Sequence, residues 1–176
     1  SDSTQALYAQ VLVLEKDKTQ ENLDKAQSLW KQSRLYWEST ESFLFGPVDA
    51  LSIDPMIDTW PLNVTDLKSI LNQGAPITAQ VIRTSGANLK GFHTAEFLMF
   101  GDGQATNTKA ITALTDREIE YLKATTEILA EDTLRLTTAW TKQYDPDIAD
   151  APPYIDLILN PNPDTNPVYN GKQSVI

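Results

Sequence analysis

Thr115-Asp116-Arg117-Glu118-Ile119-Glu120-Tyr121-Leu122-Lys123-Ala124-Thr125-Thr126-Glu127-Ile128-Leu129 is the stretch on which the fold turns. It opens as a capping box, a Thr hydroxyl placed to satisfy an early backbone N–H and a Glu three residues on that reaches back to the cap. Ile119, Leu122, Thr126, Leu129, Leu136 and Trp140 follow on one stripe, so the spacing predicts a helix over 116–143 with one buried face. No segment alternates apolar and polar residues over a useful length, as a half-buried strand would.

Working outward, Leu7, Val11 and Leu14 predict a helix over 4–16. Thr19 offers an N-cap to a second over 20–44, with Leu23, Ala26, Trp30, Ser33 and Trp37 as its apolar stripe and Gly46-Pro47 as its stop. Trp30, Trp37 and Trp140 read as core. Residues 46–62 read as loop, punctuated by Asp54-Pro55 and Trp60-Pro61. Short helices are expected over 64–72, capped by Asn63 or Thr65, and over 77–85; another spans 87–100, closed by Gly101-Asp102-Gly103. That Gly-Asp-Gly lacks the later oxygen ligands of a calcium-binding loop and reads as a helix stop. Beyond Asp145, prolines at 146, 152, 153, 161, 163 and 167 exclude one long helix, although Ile155–Leu159 can form a docking turn. The expected fold is all-α: an up-and-down helical bundle over 1–144, then an irregular Pro-rich C-terminal segment over 145–176. The end at Tyr169–Ile176 looks like the approach to a further element, so the chain is read as a fragment or a processed chain.

The net charge of −10 and pI near 4.4 exclude nucleic acid as the main partner, because no basic patch competes with that field. The absence of cysteine excludes disulfides, thiolate metal sites and a cysteine nucleophile. No apolar run approaches the roughly 18 residues of a membrane-spanning helix. The start at Ser1-Asp2-Ser3-Thr4 reads as a mature or engineered end, from which a signal or lipid anchor could have been removed.

The only histidine, His93, stands three residues before Glu96 in Gly91-Phe92-His93-Thr94-Ala95-Glu96. On a helix the two share a face about one turn apart, and can serve as two ligands of one ion or as an acid/base pair. The plain alternative is a buried histidine bonded to a nearby carboxylate. Arg34, Glu38 and Glu41 form a charged stripe, expected opposite the Trp30/Trp37 face.

The chain resembles the imelysin family of insulin-cleaving or iron-regulated extracytoplasmic proteins. Gly91-x-His93-x-x-Glu96 with Phe97-Leu98-Met99-Phe100-Gly101 is similar to that family's Gly-x-His-x-x-Glu signature and its hydrophobic tail. So are Arg34-x-x-x-Glu38-x-x-Glu41-x-Phe43-x-Phe45-Gly46-Pro47-Val48-Asp49, Ile53-Asp54 with Ile57-Asp58-Thr59-Trp60-Pro61-Leu62, and Arg117–Leu122 leading to Trp140, in the family's order over about 4–144. The resemblance implies a helical, periplasmic or surface-anchored lipoprotein linked to iron or other metal uptake, with a second related bundle in full-length members. Some shorter relatives bind metal or acidic polysaccharide.

The family's original annotation is a metallopeptidase, but a zinc site of the two-histidine kind cannot be built from one histidine. Carboxylates favour a hard or borderline cation such as iron, manganese or calcium, and one imidazole shifts the preference toward transition metals; the resemblance favours iron, with zinc also open. The expected ligands are His93, Glu96 and Glu41, with Arg34, Glu38, Asp54 and Asp58 as supporting residues. For Glu38 the competing reading is a surface pair with Arg34, for the two aspartates turn capping. The expected function is an extracytoplasmic metal-associated binding protein. The alternatives are a metallopeptidase, or a polysaccharide- or protein-binding module with a purely structural motif.

Overall fold

The computed structural model describes residues 1–102, 109–162 and 164–169. Its helices, in order, are α1 (Asp2–Lys16), α2 (Gln20–Glu38), α3 (Pro47–Ala50), α4 (Ile53–Ile57), α5 (Val64–Asn72), α6 (Ala79–Arg83), α7 (Phe92–Phe100), α8 (Asp116–Thr141) and α9 (Tyr154–Leu159). Among the described residues there is no strand.

α1, α2, α7 and α8 build the bundle, each antiparallel to its neighbours. Thr19 caps α2 by accepting from Asn22 N–H at 3.2 Å. α8 runs back along α1: Thr133 meets Thr4 at 2.6 Å near one end, and Lys123 meets Glu15 at 2.6 Å toward the other. Between α2 and α8 lies α7, held by Gln27 Nε2 donating to Met99 O at 2.8 Å and by Trp30 Nε1 donating to Phe92 O at 3.0 Å. Leu7, Val11, Leu23, Leu98, Leu122 and Leu129 are fully buried in the shared core. The capping box forms as the sequence requires, with Glu118 N–H on the Thr115 hydroxyl at 3.2 Å and Thr115 N–H on Glu118 Oε2 at 2.8 Å.

Three expectations change. α2 stops at Glu38 instead of reaching 44, and Glu41–Phe43 form a separate 3₁₀ turn. Ser39 and Thr40 turn their hydroxyls onto Leu35 O and Trp37 O, both at 2.7 Å, and such local bonds compete with helix continuation. Residues 46–62 contain two short helices, α3 with Pro47 at its first position, which suits a ring that fixes φ and lacks an N–H. The motif helix expected over 87–100 is broken at Gly91, so His93 is the second residue of α7 instead of lying mid-helix. Gly101 ends α7, while Gly103 and residues 170–176 lie outside the described residues. The last stretch carries α9, tied down by an Asn166 Nδ2 bond to Leu157 O at 2.6 Å.

The break at Gly91 positions the site. Gly91 has φ +84°, a left-handed backbone that favours glycine, and a Cβ there would fall on the Ile57 carbonyl group, 2.9 Å even from its Cα. Its N–H donates to the buried Thr125 hydroxyl at 3.0 Å. α7 therefore starts in contact with the end of α4, and the residue after Ile57 is Asp58.

Candidate metal centre

Asp58, at the C-terminal end of α4, is the hub. Its Oδ2 accepts from Trp37 Nε1 at 2.7 Å. Its Oδ1 accepts from an Arg34 guanidinium nitrogen and lies 3.2 Å from His93 Nε2. The other ring nitrogen of His93 meets Glu96 Oε2 at 3.2 Å. Arg34 also pairs with Glu38 one turn along α2 and stacks its guanidinium over Phe92, 5.5 Å from the ring centroid. Glu38, Glu41 and Asp58 bring one carboxylate oxygen each within 4.8 Å of one another.

With a carboxylate on each ring nitrogen, the imidazolium is stabilised. The bond to Asp58, then that to Glu96, raises the His93 pKa to about 9, against burial and the nearby Arg34 charge. Burial alone would push the Asp58 carboxyl up, but the donors from His93, Arg34 and Trp37 together outweigh it and hold the carboxyl below its ordinary range. Asp54, one turn earlier on α4, is raised by burial and by the Asp58 charge. Trp60, 70 % exposed, stands beside His93 with ring centroids 4.8 Å apart and the planes tilted by 58°.

The structure pairs His93 with Glu96 and brings Glu41 near Glu38, and Asp58 both meets His93 and lies within 4.8 Å of the two glutamates. The charged stripe of α2 flanks its tryptophan face instead of opposing it, since Arg34 and Trp37 reach the same carboxylate. Sequence reasoning gave Trp37 a packing role only and Trp60 none. Trp60 stood in the block that carries Asp58 and Trp37 in the block that begins at Arg34, but periodicity does not say which residue across the bundle an indole N–H will meet.

Glu38, Glu41 and Asp58 supply the carboxylates a divalent cation takes, and His93 reaches that group through Asp58 without being one of the three whose oxygens converge. Two atoms bound to one ion at ~2.1 Å each, 90–110° apart, are ~3.0–3.4 Å from one another. The 3.2 Å between His93 Nε2 and Asp58 Oδ1 lies in that range. Glu38, Glu41, Asp58 and Glu96 also outnumber Arg34 and the His93 imidazolium by two charges.

The model of the imelysin family matches residues 1–171. This chain belongs to the imelysin family. It is 32% identical over 142 residues to the iron-regulated protein A of Synechococcus elongatus, covering 81% of this chain and 34% of that protein. The crystal structure of a protein named as an iron-regulated protein A precursor, from Parabacteroides distasonis, superimposes with a TM-score of 0.75 at 28% identity. That match covers 88% of this chain and 43% of the other. The imelysin chain described here thus spans less than half the length of either relative. No helix among its described residues is long and apolar enough to cross a membrane.

Proposed function

We propose that this imelysin chain is the metal-associated part of an extracytoplasmic, iron-linked binding protein. His93, Asp58, Glu41 and Glu38 would hold the ion, with Glu96 orienting the imidazole from Nδ1. The observation that carries this reading is Asp58, one carboxylate shared between the imidazole and the Glu38/Glu41 pair. The ion would take the place of the proton between His93 Nε2 and Asp58, so binding releases a proton. The iron link is supported by the relatives' names, which speak of regulation by iron, and an exported location by one of them being named a precursor. The second helical bundle that the family resemblance implies would fit in the relatives' additional length.

A second reading has its own observation. Arg34 pairs with both Glu38 and Asp58, so the carboxylates already carry a cation and can form an ion network that only holds α2, α4 and α7 together. A peptidase of the two-histidine zinc kind cannot be assembled from this chain's single imidazole. Calorimetric titration with Fe(II), Mn(II) and Zn(II) separates the first two. Binding that is lost in both His93→Ala and Asp58→Asn supports the metal site. Equal binding in wild type and variants, or none in any, leaves the ion network as the role of these residues.

A further inference from the structure

α7 is nine residues long, whereas α2 and α8, on either side of it, continue past its first residue, Phe92. Where a longer fourth helix would lie, the bundle holds a half-open cavity of about 440 Å³ between the last turns of α2 and α8. Ser33, Trp37, Val48, Phe92 and Thr133, all buried in the folded chain, make its deep wall. Tyr36 and Phe43, each more than half exposed, stand at its mouth, and Trp140 lines one side.

Two features define what this cavity accepts. No acidic or basic side chain is among the described residues that line it, in a chain whose net charge is −10. Five hydroxyls of its α2 and α8 walls and the turn after α2 are also spoken for, which leaves Ser3 and Tyr36 as the hydroxyl groups able to donate to a guest. Ser33, Thr133, Thr137 and Thr141 each donate to the carbonyl four residues back in their own helix, and Thr40 donates to Trp37 O. These groups therefore offer the cavity methyl or methylene surface and no free donor. Against the Trp37, Phe92 and Trp140 wall a charged ligand would lose its hydration with no charged side chain to compensate, while an apolar one gains from the transfer.

We propose that this cavity is a binding site for an uncharged, largely apolar small molecule with an aromatic ring, seated against Trp37, Trp140 and Phe92. The volume lies within the ~300–1,000 Å³ typical of small-molecule pockets. Aromatic walls favour a ring at edge or offset contact. The site is independent of any metal, yet Trp37 belongs to both places: one side of its indole lines the cavity, and its N–H holds Asp58 at 2.7 Å. Occupancy should therefore be felt at His93.

The test uses N-phenyl-1-naphthylamine, an uncharged fluorescent probe, titrated into the chain with chelator present. Saturable one-to-one binding is expected, with Kd on the order of 10 µM. Thr137→Phe fills the cavity and should weaken binding at least tenfold. Leu134→Phe adds the same ring at a position of α8 outside the cavity lining and should leave it unchanged. If Thr137→Phe does not fold, Thr141→Trp at the mouth takes its place. The ring signals of His93, the chain's one histidine, should shift with occupancy. Four results would overturn the proposal: absence of saturable binding, indifference to the cavity variants, equal affinity for the anionic anilinonaphthalene sulfonate, or a concentration-dependent dimer that excludes the probe and makes the groove an interface.

Discussion

Asp58→Asn changes one oxygen to an amide and removes one negative charge at the point where three elements meet. In the native chain Asp58 is the largest influence raising the His93 pKa to about 9, with Glu96 second. The gap from the ordinary 6.5 corresponds to roughly 3 kcal/mol of linked stability, which partial exposure of Glu96 reduces to about 2–3. Because the folded pKa is raised, this contribution is fully present below about pH 6.5 and is lost as pH rises through about 9. In Asp58→Asn the His93 pKa should fall by ~1 or more, with the Glu96 contact keeping it above 6.5. Stability at pH 6 should drop by about 2–3 kcal/mol, since Arg34 and His93 both lose a charged acceptor. The loss should shrink as pH approaches 9, where the native pair has already weakened. With a single histidine, NMR titration of the metal-free protein follows one imidazole without assignment, and urea melts at pH 6, 7.5 and 9 supply the energies. A native His93 that titrates near 6.5, or a pKa unmoved by the substitution, would refute the shared-carboxylate reasoning.

Gly91→Ala should cost at least ~3 kcal/mol by urea melts and shift the His93 signals, because a left-handed φ and contact with the Ile57 backbone are violated together. Trp37→Phe keeps most of the packing but removes the indole donor to Asp58, for an expected loss of about 1–2 kcal/mol in thermal or urea denaturation. Thr115→Ala removes half of the α8 capping box and should cost ~1 kcal/mol. By contrast, Glu15→Gln breaks a partly exposed pair with Lys123 and should change the urea midpoint by less than ~0.5 kcal/mol.

Much of the bundle was legible in the sequence because its signals are local. The stripes Leu7-Val11-Leu14 and Ile119-Leu122-Leu129 announce a helix by spacing alone; the first is the buried face of α1 and the second part of that of α8. The caps at Thr19, Asn63 and Thr115 act within three residues, and all three form. The end of α2 at Glu38 was not legible, since hydroxyls that close a helix compete with apolar spacing that would extend it. The same holds for α3 and α4, too short for periodicity to register.

The residue types of the candidate site were already legible in one dimension: one imidazole, a three-residue step to Glu96, and a stripe of Arg34, Glu38 and Glu41. Which carboxylate meets the imidazole through space was settled by packing alone. That depends on Gly91, whose missing side chain lets α7 begin against the Ile57 carbonyl and so delivers Asp58 to His93 Nε2. The pairing spans 35 positions of sequence from Asp58 to His93, and no local spacing rule reaches across such a distance; close packing of two backbones does.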